Sequence, residues 1–239
     1  MEKNRYRYLF FDLDNTLFDF NEAERQAFEK VCMVYGIRFC PELFAFYHAV
    51  NDALWKSLER GEVTQKDLQT RRFEEVCRQV KKTDVCCEEM NRDYRNFLAE
   101  CSVMVPGALN VVQGLSETCT ICLVTNGVSK TQRKRLQGSP LMEVVSEVFI
   151  SEEVGFHKPQ KEFFDYVLEK TGAGRQEALV IGDSVTSDIL GGKNAGIDTC
   201  LYDPLGKGYP EEIRPDFTIR KLDELFVIVS DGAGSPVPG

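Results

Sequence analysis

The chain has 239 residues, 43% hydrophobic and 28% charged, which suits a globular protein with room for one large domain or a domain carrying an insertion. A formal net charge of −9 argues against a nucleic-acid polymer as partner, since that would demand a basic surface, but it leaves a small phosphorylated molecule open. No apolar run approaches the roughly 18 residues of a membrane span, so no membrane partner is expected. The nine cysteines are an odd number without metal-ligand spacing, and Cys86 and Cys87 are adjacent. They read as reduced thiols. With no signal-peptide pattern ahead of the first strand, a cytoplasmic location is expected.

In chain order, the first predicted strand is Tyr8-Leu9-Phe10-Phe11, which ends abruptly in Asp12-Leu13-Asp14-Asn15-Thr16-Leu17. An apolar run with a polar stop reads as a buried strand of a parallel sheet, and ligands of such sheets sit beyond the carboxyl ends of the strands. Two acids there need a partner, because an unpaired charge in an apolar site is costly. A hard cation such as Mg²⁺, which takes oxygen ligands, is the usual one.

About ninety residues of helical pattern follow. Asn21-Glu22-Ala23-Glu24 predicts a capping box, with Ala23, Ala27, Val31 and Val34 on one helical face. A second helix is predicted from Pro41 to about Arg60, ended by Gly61 in a left-handed cap. Thr64-Gln65-Lys66-Asp67 predicts the N-cap of a third helix carrying Leu68, Phe73, Val76 and Val80, and a fourth spans about Glu88–Glu100. From Val105-Pro106-Gly107 the pattern alternates. Strands are predicted at Thr120–Thr125, Val148–Ile150, Ala178–Ile181, Thr199–Tyr202 and Phe217–Ile219, with helices such as Glu162–Lys170 between them. That alternation builds βαβ units and a largely parallel sheet, so the class is α/β with a helical bundle inserted between its first two strands. The expected domains are a core of residues 1–16 and 104–230, a cap of residues 17–103, and a mobile tail of residues 231–239.

Four polar signals fall at strand ends: Asp12 with Asp14; Thr125 with Asn126-Gly127; Lys158 before Pro159; and Gly182-Asp183 with Asp188. Each alone has a plainer reading, as a helix cap, a turn, a solvated lysine or a solvated helix face. Together they differ, because a parallel sheet gathers its strand ends at one edge. Three strand-end acids, a hydroxyl with backbone donors and one ammonium are what phosphoryl transfer needs.

Asp12-Leu13-Asp14-Asn15-Thr16, Thr125, Lys158-Pro159 and Gly182-Asp183-Ser184-Val185-Thr186-Ser187-Asp188, in that order, resemble the four motifs of the haloacid dehalogenase superfamily. The resemblance spans nearly the whole chain. It implies a Rossmann-like core with a helical cap after the first strand, and it implies roles. Asp12 is the expected nucleophile, forming an aspartyl-phosphate, and Asp14 the expected acid and base. Thr125, with Asn126 beside it, and Lys158 are expected to hold the phosphoryl group. Mg²⁺ is the implied cofactor, with Asp12, the carbonyl of Asp14 and Asp183 as ligands and Asp188 behind its water shell. Metal-free dehalogenases lack an acid at the position of Asp14, so phosphate chemistry is favoured over carbon–halogen cleavage.

Trp55–Thr64, Arg71-Arg72-Phe73, Phe18-Asp19-Phe20 and Gly182–Gly192 further resemble a subfamily of small soluble 5′-nucleotidases. The expected activity is therefore a Mg²⁺-dependent phosphomonoesterase acting on nucleoside 5′-monophosphates. Phe18, Phe20 and Trp55 are expected to stack on a base, the loop at Gly61 to choose substrates, and Arg71 or Arg72 to hold a second polar group. The same aromatics, with Phe44, Phe46 and Tyr47, also suit a bundle core. A phosphatase of sugar or acyl-sugar phosphates and a phosphomutase share the same core residues. A phosphate-sensing module on this fold is the non-enzymatic alternative.

Overall fold

The computed structural model describes residues 5–230, and the tail expected to be mobile, 231–239, lies outside them. In chain order, β1 (Tyr8–Phe11) is followed by four helices, α1 (Phe20–Val34), α2 (Pro41–Glu59), α3 (Gln65–Gln79) and α4 (Cys87–Leu98). Then come α5 (Ala108–Ser116), β2 (Thr120–Thr125), α6 (Ser129–Gln137), β3 (Glu147–Ile150), α7 (Ser151–Val154) and α8 (Lys161–Thr171). The chain continues through β4 (Ala178–Gly182), α9 (Leu190–Ala195), β5 (Asp198–Tyr202), β6 (Phe217–Ile219) and α10 (Leu225–Ser230). Two compact units result: Phe20–Val103 forms one, and the chain up to Asp19 and from Met104 forms the other.

The sheet unit holds six strands in the order β3-β2-β1-β4-β5-β6, every pair parallel. The period of two along β1 decides its two faces. Leu9 and Phe11 pack with Leu123, Leu179 and Ile181 on one side, while Phe10 packs with Val124, Val180, Phe163 and Phe164 on the other. Burying each phenylalanine contributes about 1.5–3 kcal/mol, which anchors this strand at the centre of the molecule's sheet. From β1 the chain winds outward to β2 and β3 on one side and to β4, β5 and β6 on the other. The carboxyl ends of β1 and β4 therefore flank the topological switch point of a Rossmann-like α/β fold, where ligands bind.

In the helical unit the aromatic rings of α1 to α4 form one interior. Phe28 stacks on Tyr47 at 4.2 Å between centroids, Tyr47 lies 5.6 Å from Phe73, and Phe73 meets Tyr94 at 5.4 Å. Helix ends follow local chemistry. Thr64 and Asp67 exchange capping bonds at the start of α3, each 3.1 Å. Gly61, at φ +73°, ends α2 in a left-handed turn, with Glu62 N–H donating to Ser57 O and Gly61 N–H to Leu58 O, both 2.9 Å. Three sequence expectations need correction. The first helix begins at Phe20, so Asn21 lies inside its first turn instead of capping it. Val34 and Val80, at helix ends, are exposed, because the helices stop before their faces turn inward again.

Arg72 is also corrected. It is 4% exposed, donates to Asn51 Oδ1 at 3.1 Å and Asn91 Oδ1 at 2.7 Å, and lies over the Tyr94 ring at 4.5 Å. Asn51 in turn donates to Glu24 Oε1 at 2.7 Å, and Glu24, wholly buried, pairs with His48 at 2.6 Å. Arg72 is thus tied into the bundle's interior and is not placed to hold a substrate charge. Its neighbour Arg71 is exposed.

Candidate active site

Asp12 is the first residue beyond β1, and its N–H continues the sheet ladder to Ile181 O at 2.8 Å. That bond aims the following side chain into the switch-point crevice, where Asp12 is 7% exposed. Opposite stands Lys158, 1% exposed and far from the solvated lysine that its sequence context permits. Its ammonium has three N–H bonds and three acceptors: Asp12 Oδ1 at 2.6 Å, Asp188 Oδ1 at 2.6 Å and Val124 O at 2.9 Å. Asn126 fixes the lysine's backbone. Its side chain donates to Lys158 O at 2.8 Å and accepts from Lys158 N–H at 2.9 Å. The Asn126 side chain is thus committed to positioning Lys158.

The third and fourth acids follow β4. Ser184 caps the turn after it, accepting from Ser187 N–H at 3.2 Å, and the π-helical stretch Val185–Ile189 brings Asp188 back towards β1. Gly182 permits this approach, since a Cβ there would stand 2.7 Å from the Asp188 Cβ. Asp188 is 1% exposed, and its oxygens accept from Lys158 Nζ at 2.6 Å and Ser184 N–H at 3.1 Å. Carboxylate oxygens of Asp12, Asp183 and Asp188 lie within 4.8 Å of one another.

Two carboxylates thus share one ammonium with a third close by, and the proton affinities of Asp12, Asp183 and Lys158 respond. Burial first, then the Asp188 and Asp14 charges, push the Asp12 carboxyl up to about 7, against the opposing pull of Lys158. Burial together with Asp12 and Asp188 holds Asp183 well above the usual carboxylate range. Burial opposes the charge on Lys158, but Asp12 and Asp188 outweigh it and raise its pKa. A surplus of oxygen-borne negative charge in a buried cluster fits a hard divalent cation.

Asp14 stands apart from that cluster. Its side chain is 26% exposed, forms an ion pair with Arg135 and accepts from Gln132 Nε2 at 2.7 Å. Thr125, at the end of β2, accepts from Gly127 N–H and from Gln132 Nε2, each at 3.0 Å. Gln132 and Arg135, both on α6, escaped the sequence reading. A signal existed, because Gln132, Arg135 and Leu136 recur at helical spacing and all three are buried. Phe18 is a correction of the opposite kind. Expected to stack on a base, it is wholly buried in the sheet unit's core with its ring 4.7 Å from the Arg135 guanidinium. Phe20 packs half-buried against the helical unit's interior, and Trp55 is partly exposed.

A doubly wound sheet with an acid cluster and a buried lysine at its switch point is an enzyme's catalytic architecture. The chain belongs to the haloacid dehalogenase-like hydrolases, whose family profile matches residues 9–202. It is similar to the HAD-hydrolase YfnB of Bacillus subtilis, whose crystal structure bound to magnesium superposes with a TM-score of 0.90 at 38% identity, covering 94% of this chain and 99% of that one. Pyrimidine 5′-nucleotidase YjjG of Escherichia coli is 36% identical over 92% of this chain and 96% of its own length. Pyrimidine 5′-nucleotidase PynA of Streptococcus pneumoniae is 32% identical over 92% of this chain and 94% of its own. No helix among the described residues is long and apolar enough to cross a membrane.

Proposed function

We propose that this hydrolase is a Mg²⁺-dependent phosphomonoesterase that cleaves nucleoside 5′-monophosphates, with a preference for pyrimidine bases. The observation that carries the chemistry is the buried trio of Asp12, Lys158 and Asp188 beside Asp183, with Asp14 held separately two residues after Asp12. The base preference rests on the two relatives named as pyrimidine 5′-nucleotidases.

An oxygen of the Asp12 carboxylate attacks phosphorus, and the bond from phosphorus to the ester oxygen breaks. The leaving oxygen keeps that electron pair and takes a proton from Asp14. Water then attacks the aspartyl-phosphate at phosphorus, gives its proton to Asp14, and frees phosphate and Asp12. Within this chain, Lys158 favours the ionised nucleophile and offsets phosphoryl charge, while the Thr125 hydroxyl is a donor to a phosphoryl oxygen. Asp12 and Asp183, with Asp188 in the same cluster and the carbonyl of Asp14 in reach by chain position, are the residues proposed to hold Mg²⁺. When bound, that ion supplies the positive charge that makes an anionic phosphate ester open to attack by a carboxylate.

A phosphate-release screen tests this, run with Mg²⁺ and with chelator over nucleoside 5′-monophosphates, hexose phosphates and acyl-sugar phosphates. Pyrimidine nucleotides are expected to give the highest kcat/KM, and chelator to silence every substrate. A screen led by a sugar phosphate would replace the substrate and leave the phosphatase, and full activity in chelator would remove the metal-dependent reading altogether.

A further inference from the structure

Helix α6 carries a polar connection between two groups of the site, the Asp14 carboxylate and the Thr125 hydroxyl. Gln132 Nε2 donates to both, at 2.7 Å and 3.0 Å, while its Oε1 accepts from Arg135 Nη1 at 3.0 Å. Only one orientation of the amide satisfies these neighbours, because a carboxylate can only accept and a guanidinium can only donate. Arg135 is itself immobilised: it is wholly buried, pairs with Asp14 and lies over the Phe18 ring at 4.7 Å. Both side chains come from one helix face, three residues apart.

We propose that Gln132, locked by Arg135, is a positioning residue that sets the Asp14 carboxylate for proton transfer to the leaving oxygen and turns the Thr125 hydroxyl towards the phosphoryl group. This deepens the phosphatase assignment and depends on it. For Thr125, the two N–H donors from Gln132 and Gly127 occupy the oxygen's lone pairs, so its own O–H is left to donate to an anion. For Asp14, the contacts reach both carboxylate oxygens, one from Gln132 and one from Arg135, which fixes the plane of the group as well as its position. A proton donor held within such a geometry is worth most when the leaving oxygen is a strong base, because that oxygen cannot depart without a proton. The Gly127 position belongs to the same device. A Cβ there would come within 2.6 Å of Gln132 Cδ and 2.7 Å of its Cγ, and the nearest atoms it meets are all of Gln132. Glycine makes room for the glutamine.

The test compares kcat/KM for phenyl phosphate, a poor leaving group, with that for p-nitrophenyl phosphate, a good one, at saturating Mg²⁺. Gln132→Ala should lower kcat/KM for phenyl phosphate at least about 10-fold more than for p-nitrophenyl phosphate, on the scale of general-acid contributions. Gly127→Ala keeps its N–H but displaces the glutamine, and should reproduce the same leaving-group selectivity with a melting temperature near that of the wild type. Equal losses on both esters in the two variants, or no loss, would overturn the positioning role while leaving the phosphatase in place. Wild-type protein releasing phosphate from neither ester would instead remove the assignment beneath it, and the proposal with it.

Discussion

In the helical unit, Glu24 and Arg72 are both out of solvent, yet each finds its complement within the bundle: Arg72 bonds Asn51 and Asn91, Asn51 bonds Glu24, and His48 closes the end. In the sheet unit, Asp12 and Asp188 bond one ammonium with Asp183 beside them, and the Asp12 and Asp183 carboxyls are pushed towards the neutral form. Both regions bury charge against the ordinary preference for water, but only the second leaves a surplus. A network whose charges balance holds a fold together. A surplus that folding does not need marks where a ligand of opposite charge belongs.

The sharpest way to test that contrast is to remove one member of each. Asp12→Asn keeps the shape and loses the proposed nucleophile, so phosphate release should fall by roughly 10⁴-fold or more while the circular dichroism spectrum stays unchanged. Turnover near wild type would take Asp12 out of the chemistry. Arg72→Met takes the donor away from the Asn51 and Asn91 side chains, and leaving a buried acceptor unpaired costs about 1–3 kcal/mol for each of the two. At about 2–4 °C per kcal/mol for a chain of this size, thermal melting should fall by roughly 10 °C. A melting temperature within a degree or two of wild type would show that the Arg72 bonds do not hold the bundle together.

Asp183→Asn should move stability the other way. In chelator it relieves repulsion within the acid cluster, so the melting temperature should rise by a few degrees, while added Mg²⁺ should no longer stabilise the protein as it does the wild type. A fall in chelator would mean that the cluster is satisfied without a cation. A further effect is in pH. The Asp12 carboxyl titrates at about 7 in the folded chain against 3.8 for an ordinary aspartate, so its neutral form is the one that folding favours. Its contribution to metal-free stability is full below about pH 4 and is lost as pH rises to about 7. Wild-type melting in chelator should decline across that window more steeply than melting of Asp12→Asn, and parallel curves would assign the decline to other groups.

The features legible in the sequence are those written in local pattern. β1, β2 and β4 are apolar runs with polar stops, and parallel pairing then gathers Asp12, Thr125 and Asp183 without long-range information. What escaped is burial decided by distant partners. α6 reads as a solvated basic helix, Ser-Lys-Thr-Gln-Arg-Lys-Arg, until Asp14, 121 residues away, draws Arg135 inside. Arg72 follows Leu68 and precedes Val76 at the helix repeat, so its inward face was written in the spacing, but an arginine on that face reads as a substrate ligand until Glu24 and the asparagines are in view. Phe18 was misplaced for the same reason, since a ring beside an active-site segment and a ring beneath a buried guanidinium have the same local sequence.

The central claim is that the carboxylate following β1 becomes covalently phosphorylated. Wild-type protein turning over a phosphate ester with Mg²⁺ can be quenched and treated with borohydride, which reduces an acyl phosphate to an alcohol and releases the phosphate. Peptide mass spectrometry should then find homoserine at position 12 and unmodified aspartate at positions 14, 183 and 188. Rapid turnover with Asp12 left unreduced, or reduction at another acid, would contradict it.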